Sequence, residues 1–465
     1  MTQPFKARDY QRAIIRHIVE NERCNVFAGM GSGKTSSTLT ALEGLSMCAD
    51  PFPALVLAPL RVASTTWPDE VKKWAHLSGL KVGAAIGSAG DRARVLRSRN
   101  DIVCINYENA EWLIDWAASE AAWPFKTVIA DESTRLKSFR VKQGGKRAQA
   151  LGKVAHKHVR RWVNLTGTPA PNGLLDLWGQ QWFIDAGQRL GRSFSSFQDR
   201  WFMVKRKPGQ QFGGTVLPLP GAEAEIHRLL AECTITVRAQ DFLDLPPLVE
   251  NVIRVELPEK ARRQYRELER EMFLALDHGK NVEAFNAASL TIKCLQLANG
   301  ALYTDEGADW QEIHTGKLDA LESIVEEAAG APVLCAYHFK SDLARILKRF
   351  PFAVELRSEA SIRDFSAGAV RLGVGHPASM GHGIDGLQNN CDTLAFFGNW
   401  WSLEHRQQMI ERIGPTRQVQ SGRNRSVTVH SIVAAGTVDE TVIARMSSKV
   451  SVQDALLEAM KERGT

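Results

Sequence analysis

Cysteine is scarce, seven in 465 residues, and no pair stands as C-x-x-C. That excludes a small disulfide-stapled scaffold and a zinc ribbon, and it fits a reducing compartment, here expected to be the cytoplasm. No apolar run approaches the about 18 residues of a membrane span. The opening residues, MTQPFKARDYQR, lack the apolar stretch of a signal peptide. Low-complexity tracts and 20–50-residue repeats are also missing. Charge of one sign is in small excess: 58 Lys and Arg against 52 Asp and Glu, a net of +6, which argues for no particular partner. What remains is 44% hydrophobic and 24% charged, the balance of a soluble globular protein. At roughly 150 residues per domain the length allows about three domains or two large ones.

The net charge hides its distribution. From Arg135 to Arg161 there are ten Lys and Arg and no acid, so that segment carries +10 and the rest of the chain nets −4. A solvated helix face is the plain reading. Self-repulsion of this size, however, calls for a polyanion or a distant acidic surface. Arg412 to Arg425 repeats the pattern with four Arg and no acid.

Short apolar runs at Cys24–Ala28, Ala54–Ala58, Asp101–Ile105, Thr127–Ala130 and Trp162–Leu165 alternate with stretches of helical spacing. That alternation predicts parallel βαβ units. Residues 174–240 read as a mostly helical insertion with a Gly/Pro loop at Lys207–Gly221. The prolines of Leu243–Val249 predict a boundary, giving domains 1–245 and 246–465. After a helical lead-in at about 258–298, strands are expected at Val333–Tyr337, Val370–Gly375, Thr393–Phe397 and Ser426–Val433. Helices are expected at Ser341–Phe350, Glu404–Ile413 and from Val438 onward. The fold class is α/β.

Ala28-Gly29-Met30-Gly31-Ser32-Gly33-Lys34-Thr35 follows a short apolar strand and precedes a helix-compatible run. In that context glycines let backbone N–H groups turn inward around phosphate oxygens, and the helix N-terminus adds its dipole. Lys34 would reach the β- and γ-phosphates, and Thr35 would ligate Mg²⁺. Ala28 stands where the pattern has its first glycine. Val128-Ile129-Ala130-Asp131-Glu132 is an apolar strand ending in two acids, placed where open α/β sheets bind ligands. Asp131 would hold Mg²⁺ through water, and Glu132 would orient or deprotonate the attacking water.

The ordered motifs resemble those of superfamily-2 helicases, and within them the Swi/Snf-like double-stranded DNA translocases, over roughly residues 7–445. Ala7-Arg8-Asp9-Tyr10-Gln11 resembles the glutamine element, from which Arg8 and Gln11 would contact the nucleotide. Leu57-Ala58-Pro59-Leu60 with Trp67–Trp74 resembles motif Ia. Asp131–Lys137 resembles motif II, with Thr134 where His is usual. Leu165–Asn172 resembles motif III, whose Thr166 and Thr168 would couple nucleotide state to the cleft. Lys317-Leu318-Asp319 with Val333–Phe339 resembles motif IV, and Ala378–Leu387 resembles motif V, offering Gly383 and Asp385 to the nucleotide.

Asn399-Trp400-Trp401 then Gln408…Arg412 resembles the approach to motif VI. There the second arginine of the family pattern falls on Pro415. Arg412 or Arg417 would then supply the arginine finger.

The resemblance implies two RecA-like P-loop domains with a helical insertion, using ATP and Mg²⁺. It implies an ATPase dependent on double-stranded DNA that moves along duplex, in a compact bacterial or bacteriophage form, monomeric or loosely associating on DNA. Lys137, Lys142, Lys146, Arg147 and Lys153 would contact phosphates. A weakly hydrolysing clamp and a strand-separating helicase are the alternatives. Trp400-Trp401 could stack on a base or pack under the second sheet. His376 and His382 are too isolated for a metal site.

Overall fold

The structure is a computed structural model that describes residues 2–29, 31–120, 122–142, 144–205, 215–238, 241–277, 281–304, 309–380 and 384–448, with backbone only at 215, 272–277 and 281–288. Two compact units divide the chain, one running to Phe242 and the other spanning Leu243–Ser448.

The first unit carries strands β1 Arg23–Ala28, β2 Ala54–Ala58, β3 Val82–Ala84, β4 Ile102–Asn106, β5 Thr127–Asp131 and β6 Arg161–Thr166, a hairpin of β7 Phe202–Lys205 and β8 Thr215–Pro218, and β9 Thr234–Val237. Its helices are α1 Asp9–Glu20, α2 Lys34–Ser46, α3 Trp67–Lys73, α4 Ala89–Arg97, α5 Ala110–Ser119, α6 Lys146–Ala155, α7 Leu177–Asp185, α8 Phe194–Trp201 and α9 Ala222–Ala231. Seven strands form one parallel sheet in the order β3-β4-β2-β5-β6-β1-β9. Helices cover both faces, which is why β2 (ALVLA) can be apolar at every position. Ala54, Val56 and Ala58 join the core under α1, α2 and α3, while Leu55 and Leu57 join the core under α5 to α9. In α1 the residues Tyr10, Ile14 and Ile18 recur at a spacing of four and form the buried stripe.

The second unit contains β10 Leu248–Val255, a short antiparallel pair of β11 Ala301–Tyr303 and β12 Trp310–Glu312, and β13 Val333–Ala336, β14 Ala353–Glu355, β15 Leu372–Gly375, β16 Thr393–Phe396 and β17 Val427–Ala434. Its helices are α10 Glu259–Asp277, α11 Asn281–Asn299, α12 Gly316–Glu327, α13 Lys340–Arg349, α14 Glu359–Ser366, α15 Pro377–Met380, α16 Leu403–Ile413, α17 Pro415–Gln420, and a last one at 438–448. Six strands make a second parallel sheet, β10-β17-β16-β13-β15-β14. Each unit is thus a RecA-like parallel α/β layer structure.

The region 174–240 departs from the expected helical insertion. It contains three helices, but also the β7–β8 hairpin and, in Thr234-Ile235-Thr236-Val237, a strand of the main sheet paired in parallel with β1. Three β-branched residues in a row followed by Val favour a pleated, half-buried surface over a helix. Strands β3, β10 and β14 were not expected either: two have three residues, and β10 is an exposed edge strand without alternation.

Candidate functional site

In the first unit, sheet register brings the motifs to one level. Phe27 on β1 is paired with Thr166 on β6, and Asp131 on β5 with Leu165. The loop after β1, the carboxylate pair and Thr166 therefore leave the sheet at the same edge, although 138 residues separate Ala28 from Thr166 in the chain.

The loop after β1 turns through two left-handed glycines, Gly31 (φ 74°) and Gly33 (φ 76°), the latter capping α2. A Cβ at Gly33 would collide with the Gln11 side-chain amide and lie 3.1 Å from Ser36 Oγ. Gln11 Oε1 accepts the Arg8 N–H at 2.9 Å, so one side chain both starts α1 and lies on the loop. Lys34 Nζ donates to the carbonyls of Ala28 (2.8 Å) and Gly29 (3.2 Å), and Ser32 Oγ to Gly29 (2.7 Å). Left-handed glycines at the start of a 13-residue helix make a cradle of inward N–H groups that fits a phosphate chain. Thr35 is half-buried at the first turn. Met30 and Gly383, named from the sequence, lie outside the described residues, as does His382.

Asp131 and Glu132 are 6% and 7% exposed. Burial pushes the Asp131 carboxyl above the usual carboxylate range; the Trp67 indole N–H, donating to Oδ2 at 2.8 Å, and the Lys34 ammonium pull the other way. A buried carboxylate beside a lysine and a phosphate cradle is the donor chemistry that suits Mg²⁺. Tyr107 donates its hydroxyl to the Asp131 carbonyl at 3.0 Å. Glu132 is a non-glycine residue at φ 58°, ψ 58°, and Thr166 Oγ1 stands 3.5 Å from its Oε2. Thr168 N–H donates to Thr166 Oγ1 at 3.1 Å. The hydroxyl of Thr134 is buried and makes no hydrogen bond among the described residues.

The basic segment is compensated more than its composition suggested. Acids from outside it answer Arg135 and Arg147 (both Glu108, 3.2 and 3.5 Å), Lys137 (Asp176, 3.8 Å) and Arg160 (Glu22, 2.7 Å). Arg140 donates to the carbonyls of Lys137 and Phe139 and lies over the Phe194 ring, and Arg161 donates to Ile18 and Asn21. Lys142, Lys146, Lys153 and Lys157 are exposed, with no ion pair among the described residues. Because α6 runs back against the strands, Lys146 and Arg147 lie toward the carboxylate edge and Lys153 and Lys157 toward the opposite one. The basic side chains expected to contact phosphates are thus divided between the two ends of α6.

In the second unit Arg412, 5% exposed, donates to the Ile384 carbonyl at 2.6 Å, and Arg417 pairs with Asp385 at 3.1 Å. Gly414-Pro415 ends α16 and starts α17 with proline at the first turn, where its missing N–H is harmless. Trp400 is half-buried and stacks on His338 with ring centroids 3.8 Å apart. His376 lies 5.3 Å from His338 by ring centroids, and no group of three or more His, Cys, Asp or Glu side chains that could hold a metal ion occurs among the described residues.

Two contacts of the site follow from none of its sequence motifs, Trp67 to Asp131 and Gln180 to Ser133. Nothing local signals the first pairing, which spans 64 residues. The second has a signal: two adjacent glutamines flanked by apolar residues on both sides in LWGQQWFID.

The SNF2-related domain family matches residues 10–299. Protein p41 of Acyrthosiphon pisum secondary endosymbiont phage 1 is 52% identical over 462 residues, covering 99% of each chain. The transcription regulatory protein SNF2 of Saccharomyces cerevisiae is 23% identical across 93% of this chain, which spans 26% of that protein's length. Among solved structures, the SWI2/SNF2 ATPase core of Sulfolobus solfataricus in complex with dsDNA is similar at 19% identity and a TM-score of 0.45, over 98% of this chain and 94% of that one. No helix among the described residues is long and apolar enough to cross a membrane.

Proposed function

The chain belongs to the SNF2-related family of DNA-dependent ATPases, and on that premise we propose that it couples ATP hydrolysis to movement along double-stranded DNA. The observation that carries the reading is the sheet register that sets the glycine cradle, Asp131, Glu132 and Thr166 at one edge. In this reading Gly31, Gly33 and Lys34 hold the phosphate chain, with Arg8 and Gln11 on its base side. Thr35 and Asp131 hold Mg²⁺, which when bound neutralises charge on the phosphate oxygens. Glu132 orients the attacking water and accepts its proton. Thr166 and Thr168 transmit the state of Glu132 to β6. Arg412 stabilises charge on the γ-phosphate, with Arg417 as the alternative, and Asp385 orients Arg417 through their ion pair. Lys142 and Lys146, with Lys137 and Arg147 beside them, contact DNA phosphates without reading sequence; Lys153 serves less, being at the far end of α6.

The test is ATPase turnover with and without duplex DNA for the wild type, Lys34→Ala and Glu132→Gln. DNA-stimulated turnover in the wild type, abolished in both variants, is expected; absence of stimulation would sink the reading. Displacement of a triplex-forming strand without separation of a forked duplex supports movement over unwinding. A nucleic-acid clamp with little turnover is the second reading, favoured by the engagement of both arginines with residues 384 and 385.

A further inference from the structure

Glu132 needs help to hold its conformation. A left-handed backbone at a non-glycine residue persists only where the surroundings over-determine it. What surrounds it is a 3₁₀ turn, Ser133–Leu136, with α7 docked on it. The docking is close because α7 presents Gly179: a Cβ there would lie 2.6 Å from the Leu136 carbonyl oxygen and 2.7 Å from that of Lys137.

The next residue, Gln180, is 2% exposed. Its Oε1 accepts the Ser133 hydroxyl at 2.9 Å, and its Nε2 donates to the carbonyls of Pro169 (2.8 Å) and Asp176 (3.0 Å). One amide thus clips the residue after Glu132 to the residue after Thr168. Its own position is fixed by a buried amide relay. Asn164 Nδ2 donates to the Gln180 carbonyl (3.1 Å) and to Asn25 Oδ1 (2.9 Å), and Asn25 Nδ2 donates to Gln181 Oε1 (2.9 Å). The relay joins α7 to β6 and to β1, the strand that leads into the glycine cradle.

We infer that Gln180 is a positioning residue that holds Glu132 in its left-handed conformation beside Thr166, an inference that rests on the ATPase reading above. Leucine has nearly the same volume but no polar atoms. In Gln180→Leu the Ser133 hydroxyl and the Pro169 carbonyl lose their buried partner, the 3₁₀ turn loosens, and Glu132 relaxes away from Thr166. Nucleotide binding, which depends on Gly33 and Lys34, is untouched.

Three measurements on the full chain test this: kcat and KM for ATP at saturating duplex DNA, the Kd of a fluorescent ATP analogue, and amide exchange across residues 131–137. For Gln180→Leu, kcat should fall at least about tenfold with KM and Kd within about twofold of wild type, and exchange at 131–137 should rise. Ser133→Ala, which folds with little risk, should lower kcat in the same direction. The double variant should be no worse than Gln180→Leu alone. Unchanged kcat per folded molecule, unchanged exchange at 131–137, or multiplicative losses in the double variant would each overturn the inference. A wild type without turnover would instead defeat the ATPase reading, and the exchange measurement would still decide whether Gln180 holds the turn.

Discussion

Arg417 and Asp385 form an ion pair at 3.1 Å, while Arg412 is bound to the carbonyl of the preceding residue, Ile384. Two arginines from different helices thus converge on one dipeptide. Burial alone would raise the Asp385 carboxyl; the Arg417 guanidinium and the Gly386 N–H outweigh it and leave the group below its usual range. Arg412→Ala should lower kcat by about 10³ or more with nucleotide affinity retained, the size seen where an arginine finger is lost. Arg417→Ala should cost roughly tenfold, and Asp385→Asn should move in the same direction by loosening Arg417. Steady-state kinetics of the three variants check the ranking; a larger loss in Arg417→Ala would reassign the finger.

Trp67 restrains the carboxylate proposed to hold the metal. Trp67→Phe keeps an aromatic ring in the core, with some loss of packing volume, and removes the indole N–H, a bond to a charged group worth about 1.5–3 kcal/mol. The Asp131 carboxyl, already raised by burial, should rise further. It must be ionised to hold Mg²⁺, so the acid limb of the kcat/KM profile should move to higher pH and half-saturating Mg²⁺ should increase. Profiles at several Mg²⁺ concentrations are the check.

Glu108 answers two arginines, Arg135 and Arg147, beside the carboxylate edge. Glu108→Gln should free both and strengthen DNA binding a few-fold at low salt, with a steeper dependence on salt concentration. Neutralising Lys142 and Lys146 should flatten that dependence more than neutralising Lys153 and Lys157. Fluorescence anisotropy across a salt series measures both, and equal effects of the two pairs would show that position along α6 does not matter.

Lys317 and Asp439 are both 0% exposed and paired at 2.5 Å, with Lys317 also bound to Asn299 Oδ1 at 2.7 Å. Asp439→Asn removes the carboxylate paired directly with the buried ammonium, leaving it Asn299 and the field of Asp342, and should destabilise the second unit by about 3–5 kcal/mol. Lys317→Met combined with Asp439→Leu should recover much of that loss. Denaturant unfolding of the three proteins gives the comparison.

His314 in the second unit is held neutral. Burial lowers its pKa to about 4; its Nε2 is 2.8 Å from the Leu297 carbonyl, and its Nδ1 accepts the Gly316 N–H at 3.3 Å, leaving no place for a second proton. Between pH 6.5 and 4 the unfolded chain binds the proton that the folded chain refuses, so stability falls as pH falls through that window, by an amount on the order of 3 kcal/mol. His314→Gln should flatten this dependence, read from amide exchange of β13 and β16 at pH 7 and pH 5.

Much of the first unit was legible in the sequence. Its five buried strands each carry an apolar run because helices cover both faces, unbroken in β2 and interrupted by Asn25 in β1 and Asn164 in β6, and the glycine cradle and the Asp131-Glu132 pair stand directly at strand ends. Strands of three residues, and the edge strand β10, carry too little pattern to be seen. The region 174–240 read as helical because its aromatic and glutamine content hides a hairpin and a sheet strand.

The sequence by itself determined which chemical groups this protein has and in what order, since a phosphate cradle or a strand-end carboxylate is a local pattern of backbone conformation and charge. Only the tertiary structure decided what each group faces. It paired much of a basic run with acids far along the chain, set Trp67 on Asp131, and placed Gln180 between Ser133 and Pro169. Those contacts depend on sheet register and on how closely α7 can approach a turn, an approach that Gly179 permits but that no local pattern specifies.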